Sequence, residues 1–204
     1  MSSLLTLALP KGRLFEQVRE HFATKGLEFS LEDRKLTAID KTGLLKIIAV
    51  KNADLPTYVR HGIAGLGICG EDVLYESGYD FTHLLRFPFG GTKMALAALK
   101  NYKSEKDQRH LTIATKFTRF TRDWFHALGT GVKIIRLDGS VELAPVLGLA
   151  PYIVDLVETG STLVANGLEV IEWLKTIEVN LFANPAYFKL RSQEISDFVD
   201  RLKD

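Results

Sequence analysis

Residues Asp138 to Gly167 have the sequence DGSVELAPVLGLAPYIVDLVETGSTLVANG. In the middle of this stretch, an apolar run from Tyr152 to Val157 contains a single acid, Asp155. The run ends at the polar sequence Glu158-Thr159-Gly160-Ser161-Thr162. A short apolar run followed by turn residues is typical of a buried strand. The stretch therefore predicts a strand, a turn and the start of a helix.

The predicted turn has the composition of an anion site. Free amides at a helix N-terminus and the positive end of the helix dipole both favour phosphate, so we expect Thr159 to Thr162 to bind a phosphate group. Asp155 and Glu158 can accept hydrogen bonds from sugar hydroxyls or hold a divalent cation. The alternative is structural: Thr159 or Ser161 caps a helix, and Asp155 is a solvated strand end.

Composition limits the classes of protein. The chain has 204 residues, of which 46% are hydrophobic and 25% charged, with a net charge of +1. This balance is typical of a globular protein and argues against nucleic acid or a membrane surface as the main partner. The N-terminus shows no secretory signal, and no apolar run is long enough to span a bilayer, so we predict a cytoplasmic protein. The sole cysteine, Cys69, predicts no internal disulfide.

A second anion site is predicted near the N-terminus. The apolar run Leu4 to Leu9 predicts a buried strand that ends at Pro10-Lys11-Gly12-Arg13, with a helix from Leu14. In an open α/β sheet, ligands bind at the carboxyl ends of strands, where Lys11 and Arg13 can hold phosphates. Lys51 follows another predicted strand in the same way. The alternative is that these cations are solvated loop residues.

The order of strands and helices predicts two α/β lobes. We interpret Arg86 to Gly91, with one proline and two glycines, as a hinge into an inserted lobe at 89–177. The first lobe then comprises 1–88 and 178–204 and ends with a helix from Pro185 to Leu202. The inserted lobe has four predicted strands: Lys93 to Leu99, Leu111 to Thr115, Val132 to Leu137 and Tyr152 to Val157. With anion sites facing an interlobe cleft, this is a two-lobe fold like that of periplasmic binding proteins (type II).

The stretch that opens this section also resembles a known family. Nine of its residues stand at the spacing characteristic of the ATP phosphoribosyltransferase family: Glu142, Gly148, Ala150, Ile153, Asp155, Thr159, Gly160, Thr162 and Leu163. LALPKGR at 7–13 and ADLPTYVRHGIAGLGICGEDVL at 53–74 extend the resemblance over nearly the whole chain. By its length the chain is similar to the short form of the family, which lacks a C-terminal regulatory domain. The family has the two-lobe fold, with the active site in the cleft.

The resemblance implies a glycosyltransferase of histidine biosynthesis. Adenine N1 of ATP attacks the anomeric carbon of 5-phosphoribosyl 1-pyrophosphate, and pyrophosphate leaves, with Mg²⁺ as the cofactor. Lys11 and Arg13 are the implied catalytic cations. Arg13, Arg34 and Lys51 lie on the ATP side, although many relatives have arginine where this chain has Lys51. A lysine there keeps the charge but loses the bidentate geometry of arginine.

The remaining implied roles concern phosphoribosyl pyrophosphate and the partners. Thr159, Gly160, Ser161 and Thr162 bind the 5-phosphate, and Asp155 and Glu158 lie near the ribose hydroxyls. Glu142 lies either at the same site or supports its loop. The implied partners are a regulatory subunit resembling histidyl-tRNA synthetase, in a hetero-oligomer, and a second copy in a dimer.

Two other functions remain open from the residues alone. A non-enzymatic two-lobe module that closes on a small anion would share the fold, because fold alone does not decide function. A phosphoribosyltransferase that acts on another base would share the phosphate-binding turn but would lack the LALPKGR and ELAP segments.

Overall fold

The computed structural model describes residues 4–32, 34–102 and 110–203. Within these residues there are nine strands: β1 Leu5–Pro10, β2 Thr37–Ile39, β3 Leu45–Val50, β4 Leu66–Gly70, β5 Thr82–Leu99, β6 His110–Thr115, β7 Gly131–Arg136, β8 Tyr152–Val157 and β9 Leu168–Ala183. Eight α-helices accompany them within the described ranges: α1 Arg13–Thr24, α2 Leu55–Arg60, α3 Glu71–Ser77, α4 Thr118–Ala127, α5 Leu143–Val146, α6 Ser161–Ala165, α7 Pro185–Leu190 and α8 Ser192–Lys203. A short 3₁₀ helix, Asn52–Asp54, precedes α2.

The chain divides into two compact units, Met1–Gly90 with Glu178–Asp204, and Gly91–Ile177. The sequence placed the first boundary after residue 88, and the structure places it after Gly90. Strands β5 and β9 each contribute residues to both units. None of the helices in the described ranges has the length and apolarity that crossing a membrane requires.

The first unit contains a mixed sheet with the strand order β2-β3-β1-β4-β9. Strand β1 is parallel to β3 and β4, whereas β2 and β9 run antiparallel to their neighbours. Leu7 and Leu9 on one face of β1 and Ala8 on the other are fully buried, as expected for a strand covered on both faces. Helices α1 and α8 meet in this core, where the rings of Phe22 and Phe198 are 5.9 Å apart.

The second unit contains a mixed sheet with the order β9-β5-β8-β6-β7. Strand β8 is antiparallel to β5 and parallel to β6, which is itself parallel to β7. Tyr152 and Val154 belong to one apolar cluster, and Ile153 and Val157 belong to another. This alternation is the two-residue period of a strand buried on both faces, and it places Asp155 on the side of Ile153 and Val157.

Three local predictions were wrong in their bounds. The strand predicted from Lys93 to Leu99 is longer, because β5 runs from Thr82 to Leu99 through Arg86 to Gly91, the segment in which the chain passes between the two units. The predicted C-terminal helix is two helices, α7 and α8, which are separated at Arg191. Arg13 is the first residue of α1 rather than part of the turn before it. Strand β8 has the bounds that were predicted for it.

Candidate functional site

The carboxyl ends of three parallel strands, β6, β7 and β8, meet at one edge of the second unit. The chain passes from β8 into Glu158–Thr162, which we call the phosphate loop, and α6 begins within it at Ser161. The first amides of a helix have no partner within the helix. The local structure is therefore the strand, turn and helix start that the sequence predicted.

Gly160 determines the course of the phosphate loop. Its backbone is left-handed, with φ 76° and ψ 0°, a conformation that glycine adopts without steric cost. The Thr159 and Ser161 hydroxyls lie 3.0 Å apart across it, and the Ser161 amide contacts Thr159 Oγ1 at 3.4 Å. Gly160, rather than Thr159 or Ser161, occupies the N-cap position, and it has no side chain with which to cap the helix. The loop therefore brings two hydroxyls and the first amides of α6 together at one place.

Asp155 lies near the carboxyl end of β8, at this edge of the second unit. Its side chain is 20% exposed, and the Leu156 amide donates to its Oδ1 at 2.8 Å. Burial raises the pKa of Asp155 above its ordinary value, and the negative charge of Glu142 raises it further. The ammonium of Lys116 and the Leu156 amide oppose this shift in the pKa of Asp155. Asp155 is therefore a partly buried carboxyl, not the solvated strand end of the structural alternative.

Glu142 and Lys116 flank Asp155 from two other segments. Glu142 occupies the N-cap of α5, close enough to act on Asp155 electrostatically. Lys116 directly follows β6, and its Nζ is 3.7 Å from Asp155 Oδ1. The sequence analysis missed Lys116. A cation directly after a predicted strand, the feature that selected Lys11 and Lys51, would have found it.

A cavity of about 600 Å³ opens beside the phosphate loop, within the second unit. Glu158, Thr159 and Gly160 form part of its wall. Lys93 and Trp173, which the sequence analysis also missed, form another part, with the Lys93 ammonium 5.3 Å from the Trp173 ring centroid. The phosphate loop therefore adjoins a space large enough for a small ligand.

The predicted cations Lys11, Arg13, Arg34 and Lys51, which we call the cation group, all lie in the first unit. Pro10 pairs with Val50 in the parallel β1–β3 ladder, so Lys11 and Lys51 leave neighbouring strands at the same edge. The Lys11 amide donates to the Val50 carbonyl at 3.0 Å. The structure therefore brings the backbones of Lys11 and Lys51 together.

Gly12 turns the chain from β1 into α1, where Arg13 is the first residue. Gly12 has a φ of 98° and a ψ of −151°, a conformation that few residues other than glycine adopt. A cavity of about 340 Å³ adjoins this turn and is lined in part by Lys11 and Gly12. Arg34 lies farther along, in the loop before β2, with φ 60°. It is not among the described residues that line this cavity.

The described residues include no group of three or more His, Cys, Asp and Glu that could hold a metal ion. Mg²⁺ is commonly held by substrate phosphates and water rather than by a cage of protein ligands. An Mg²⁺ ion held in that way does not require such a group of side chains.

Comparison with known proteins identifies the family of the chain. The family model described as HisG, ATP phosphoribosyltransferase, matches residues 51–204, which include the whole phosphate loop. The chain belongs to the ATP phosphoribosyltransferase family. It is 43% identical over 203 residues to the ATP phosphoribosyltransferase of Thermoanaerobacter sp. (strain X514), which covers 98% of this chain and 95% of that relative. Identity is 45% over 205 residues with the enzyme of Caldicellulosiruptor saccharolyticus, with 98% of each chain covered.

Solved structures support both the family and the fold. The ATP phosphoribosyl transferase (HisG:HisZ) complex from Thermotoga maritima contains a chain 34% identical to this one, with a TM-score of 0.84 over 98% of this chain and 97% of that chain. The Bordetella pertussis BvgS VFT2 domain shares only 15% identity but aligns with a TM-score of 0.60 over 98% of this chain and 86% of that chain. The predicted two-lobe α/β fold is confirmed. As a member of this family, the chain is a glycosyltransferase that joins ATP to 5-phosphoribosyl 1-pyrophosphate, the first step of histidine biosynthesis.

Proposed function

We propose that the phosphate loop binds the 5-phosphate of phosphoribosyl pyrophosphate and that the acids around it bind the ribose. The loop carries the proposal, because its glycine turn, clustered hydroxyls and helix start supply several donors to one anion. Asp155 and Glu158 accept hydrogen bonds from the ribose hydroxyls, and Glu142 lies at the same edge. In this arrangement Thr159, Gly160, Ser161 and Thr162 supply the donors to the phosphate.

We assign ATP and the leaving pyrophosphate to the cation group. During the displacement, negative charge builds on the pyrophosphate while the anomeric carbon gains oxocarbenium character. Fixed cations that stabilise this charge lower the barrier. Lys11 and Arg13 serve this role at the end of β1. Arg13, Arg34 and Lys51 bind the phosphates of ATP, where the guanidinium groups can bind two oxygens at once and Lys51 only one.

Positioning accounts for the rest of the proposed mechanism. Adenine N1 is unprotonated at neutral pH, so no side chain needs to remove a proton before it attacks. Two aligned substrates react as in an intramolecular step, which lowers the barrier by reducing the entropy cost. Mg²⁺ bound to the pyrophosphate would neutralise part of its developing charge. The chain's own residues hold the ribose and the phosphates in place.

We further propose that the chain functions in the cytoplasm with a regulatory subunit. The Thermotoga maritima structure is described as a HisG:HisZ complex. Its similarity to this chain supports a hetero-oligomer with a histidyl-tRNA-synthetase-like subunit, in which two copies of this chain pair. Exposed apolar side chains such as Leu147 and Val164, each with 75% of its surface accessible, are available for such contacts.

The proposed function is tested by product formation. We expect the purified chain, mixed with ATP, phosphoribosyl pyrophosphate and Mg²⁺, to form phosphoribosyl-ATP, followed by its absorbance. The same mixture with the regulatory subunit should react faster, and mixtures that lack one substrate are the controls. Binding of phosphoribosyl pyrophosphate without product, with or without the partner, would favour the non-enzymatic module instead.

A further inference from the structure

Lys116 forms an ion pair with Asp155 across the edge of the second unit. Its ammonium lies 3.7 Å from Asp155 Oδ1, and the two side chains are 44% and 20% exposed. They belong to the ends of adjacent parallel strands, β6 and β8. Exposed ion pairs contribute little to stability. This pair is only partly exposed and lies beside the phosphate loop, where it can affect ligand binding.

The backbone on both sides of Lys116 is fixed to the strand that carries Asp155. The neighbouring residue Thr115 is fully buried, and its hydroxyl donates to the Val154 carbonyl at 2.6 Å. The same hydroxyl accepts a hydrogen bond from the Phe117 amide at 2.9 Å. The Lys116 ammonium also lies 4.8 Å from the Phe117 ring centroid, within cation–π range. Lys116 is therefore anchored through both of its chain neighbours.

The charges around Asp155 explain why an anchored cation matters there. Burial raises the pKa of Asp155, and Glu142 on the adjoining segment adds to this effect. Glu158, three residues along the chain, is a further acid at the same edge. On β5 the residue paired with Asp155 is Ala95, which is uncharged. Lys116 is the positive group that lowers the pKa of Asp155.

We propose that Lys116 is a positioning residue for phosphoribosyl pyrophosphate: held by Thr115, it keeps the Asp155 carboxylate charged and oriented to accept ribose hydroxyls. This inference rests on the proposed function of the same site. A charged carboxylate only accepts hydrogen bonds, whereas a protonated carboxyl gives up part of that capacity. Loss of Lys116 should therefore weaken ribose binding most at acid pH.

The test compares K116M, which removes the charge, with K116R, which keeps it. K133M is the matched control, because Lys133 is an exposed lysine on β7, an edge strand of the same sheet. Binding of phosphoribosyl pyrophosphate with Mg²⁺ to the full chain is measured by calorimetry from about pH 4.5 to pH 8.5, a range that begins just above the ordinary pKa of an aspartate. The ratio of each variant's Kd to the wild-type Kd cancels the titration of the ligand itself.

We expect K116M to bind roughly tenfold more weakly near the acid end, where loss of the cation leaves more of Asp155 protonated, and to approach wild-type binding at the alkaline end. K116R should restore most of the affinity, and K133M should match the wild type. A K116M ratio that is constant with pH, or a K116R variant as weak as K116M, would overturn the proposal. If thermal unfolding shows that K116M does not fold, K116Q is judged by the same criteria.

The same experiment separates this inference from the function on which it rests. Wild-type chain that fails to bind phosphoribosyl pyrophosphate at any pH would overturn both. Wild-type chain that binds it, with a pH-independent effect of K116M, would overturn only the role of Lys116.

Discussion

Asp155 and Asp40 are two poorly exposed acids with opposite electrostatic environments. Asp40 is 3% exposed, and burial alone would raise its pKa. The Thr42 hydroxyl and the amides of Leu45, Thr42 and Leu44 donate to it and bring its pKa below the ordinary value. The pKa of Asp155 is instead raised, chiefly by burial. The folded structure therefore favours the charged form of Asp40 and disfavours the charged form of Asp155.

The two shifts have opposite consequences for stability. An acid with a lowered pKa in the folded state stabilises the fold above its unfolded pKa, and this contribution is lost as pH falls through the folded pKa. Asp40 is such an acid. An acid with a raised pKa destabilises the fold once pH exceeds its unfolded pKa, and the full cost is present above its folded pKa. Asp155 has this second effect near neutrality.

The same substitution should therefore change stability in different directions at these two positions. At about pH 7, D40N should lower the free energy of unfolding by about 1 to 3 kcal/mol, because bonds to a charged acceptor are lost. D155N should leave the unfolding temperature unchanged or raise it, while it weakens binding of phosphoribosyl pyrophosphate. Thermal unfolding of both variants measures this. A fall for D155N as large as that for D40N would contradict the assignment of Asp155 as a site acid.

At the scale of elements, the strand–loop–helix segment β8–α6 concentrates the proposed ligand contacts. Strand β8 is fixed on both sides by β5 and β6, so the phosphate loop begins from a rigid base. The loop residues are exposed except for Gly160, which is half-buried, and part of the loop lines the 600 Å³ cavity. Substitutions in the loop should therefore affect binding more than folding.

The double variant T159V/T162V should weaken binding of phosphoribosyl pyrophosphate by roughly ten- to a hundredfold, because hydrogen bonds to a charged group contribute about 1.5 to 3 kcal/mol. Its unfolding temperature should stay close to that of the wild type. The matched control is T24V, an exposed threonine at the far end of α1. Calorimetric titration provides the measurement, and an unchanged Kd for the double variant would remove the two hydroxyls from the site.

Sequence patterns predicted β8 and the start of α6 because both depend on local properties. The apolar run has the length of a strand, and Gly160 marks the turn. The first half of the long strand β5 was not predicted, because Gly90 and Gly91 indicated a hinge between two strands. The structure shows another use for Gly90: a Cβ there would come within 3.0 Å of Leu14 Cδ1 and Val179 Cγ2. Close packing that involves distant residues cannot be deduced from local sequence.

The same limit applies to the end of the chain and to the site. The apolar period continues from α7 into α8, so it does not show the break at Arg191. That break is stabilised by the Arg191 guanidinium, which donates to the Leu4 carbonyl at 3.0 Å and to the Tyr187 hydroxyl at 2.8 Å. The position of Lys116 directly after a predicted strand is a local feature, but its pairing with Asp155 is not, because the two residues are distant in sequence. The acids and the phosphate loop were identified from one continuous stretch, whereas the contribution of Lys116 depends on the tertiary fold.

At the scale of the molecule, the sequence alternates strands and helices in two units, each with a mixed sheet. The proposed contacts to phosphoribosyl pyrophosphate all lie in Gly91–Ile177, and the cation group lies in the other unit. The alignments cover 95% and 98% of the two relatives described above. Each set of proposed contacts can therefore be tested by its own ligand.

The central claim is that the phosphate loop binds the 5-phosphate of phosphoribosyl pyrophosphate. The most direct measurement is a crystal structure of the chain with phosphoribosyl pyrophosphate and Mg²⁺. We predict phosphate oxygens about 2.7 to 3.2 Å from backbone amides of Gly160 to Thr162, with a ribose hydroxyl against Asp155. A structure in which the ligand is bound elsewhere, while this loop holds no phosphate, would contradict the account.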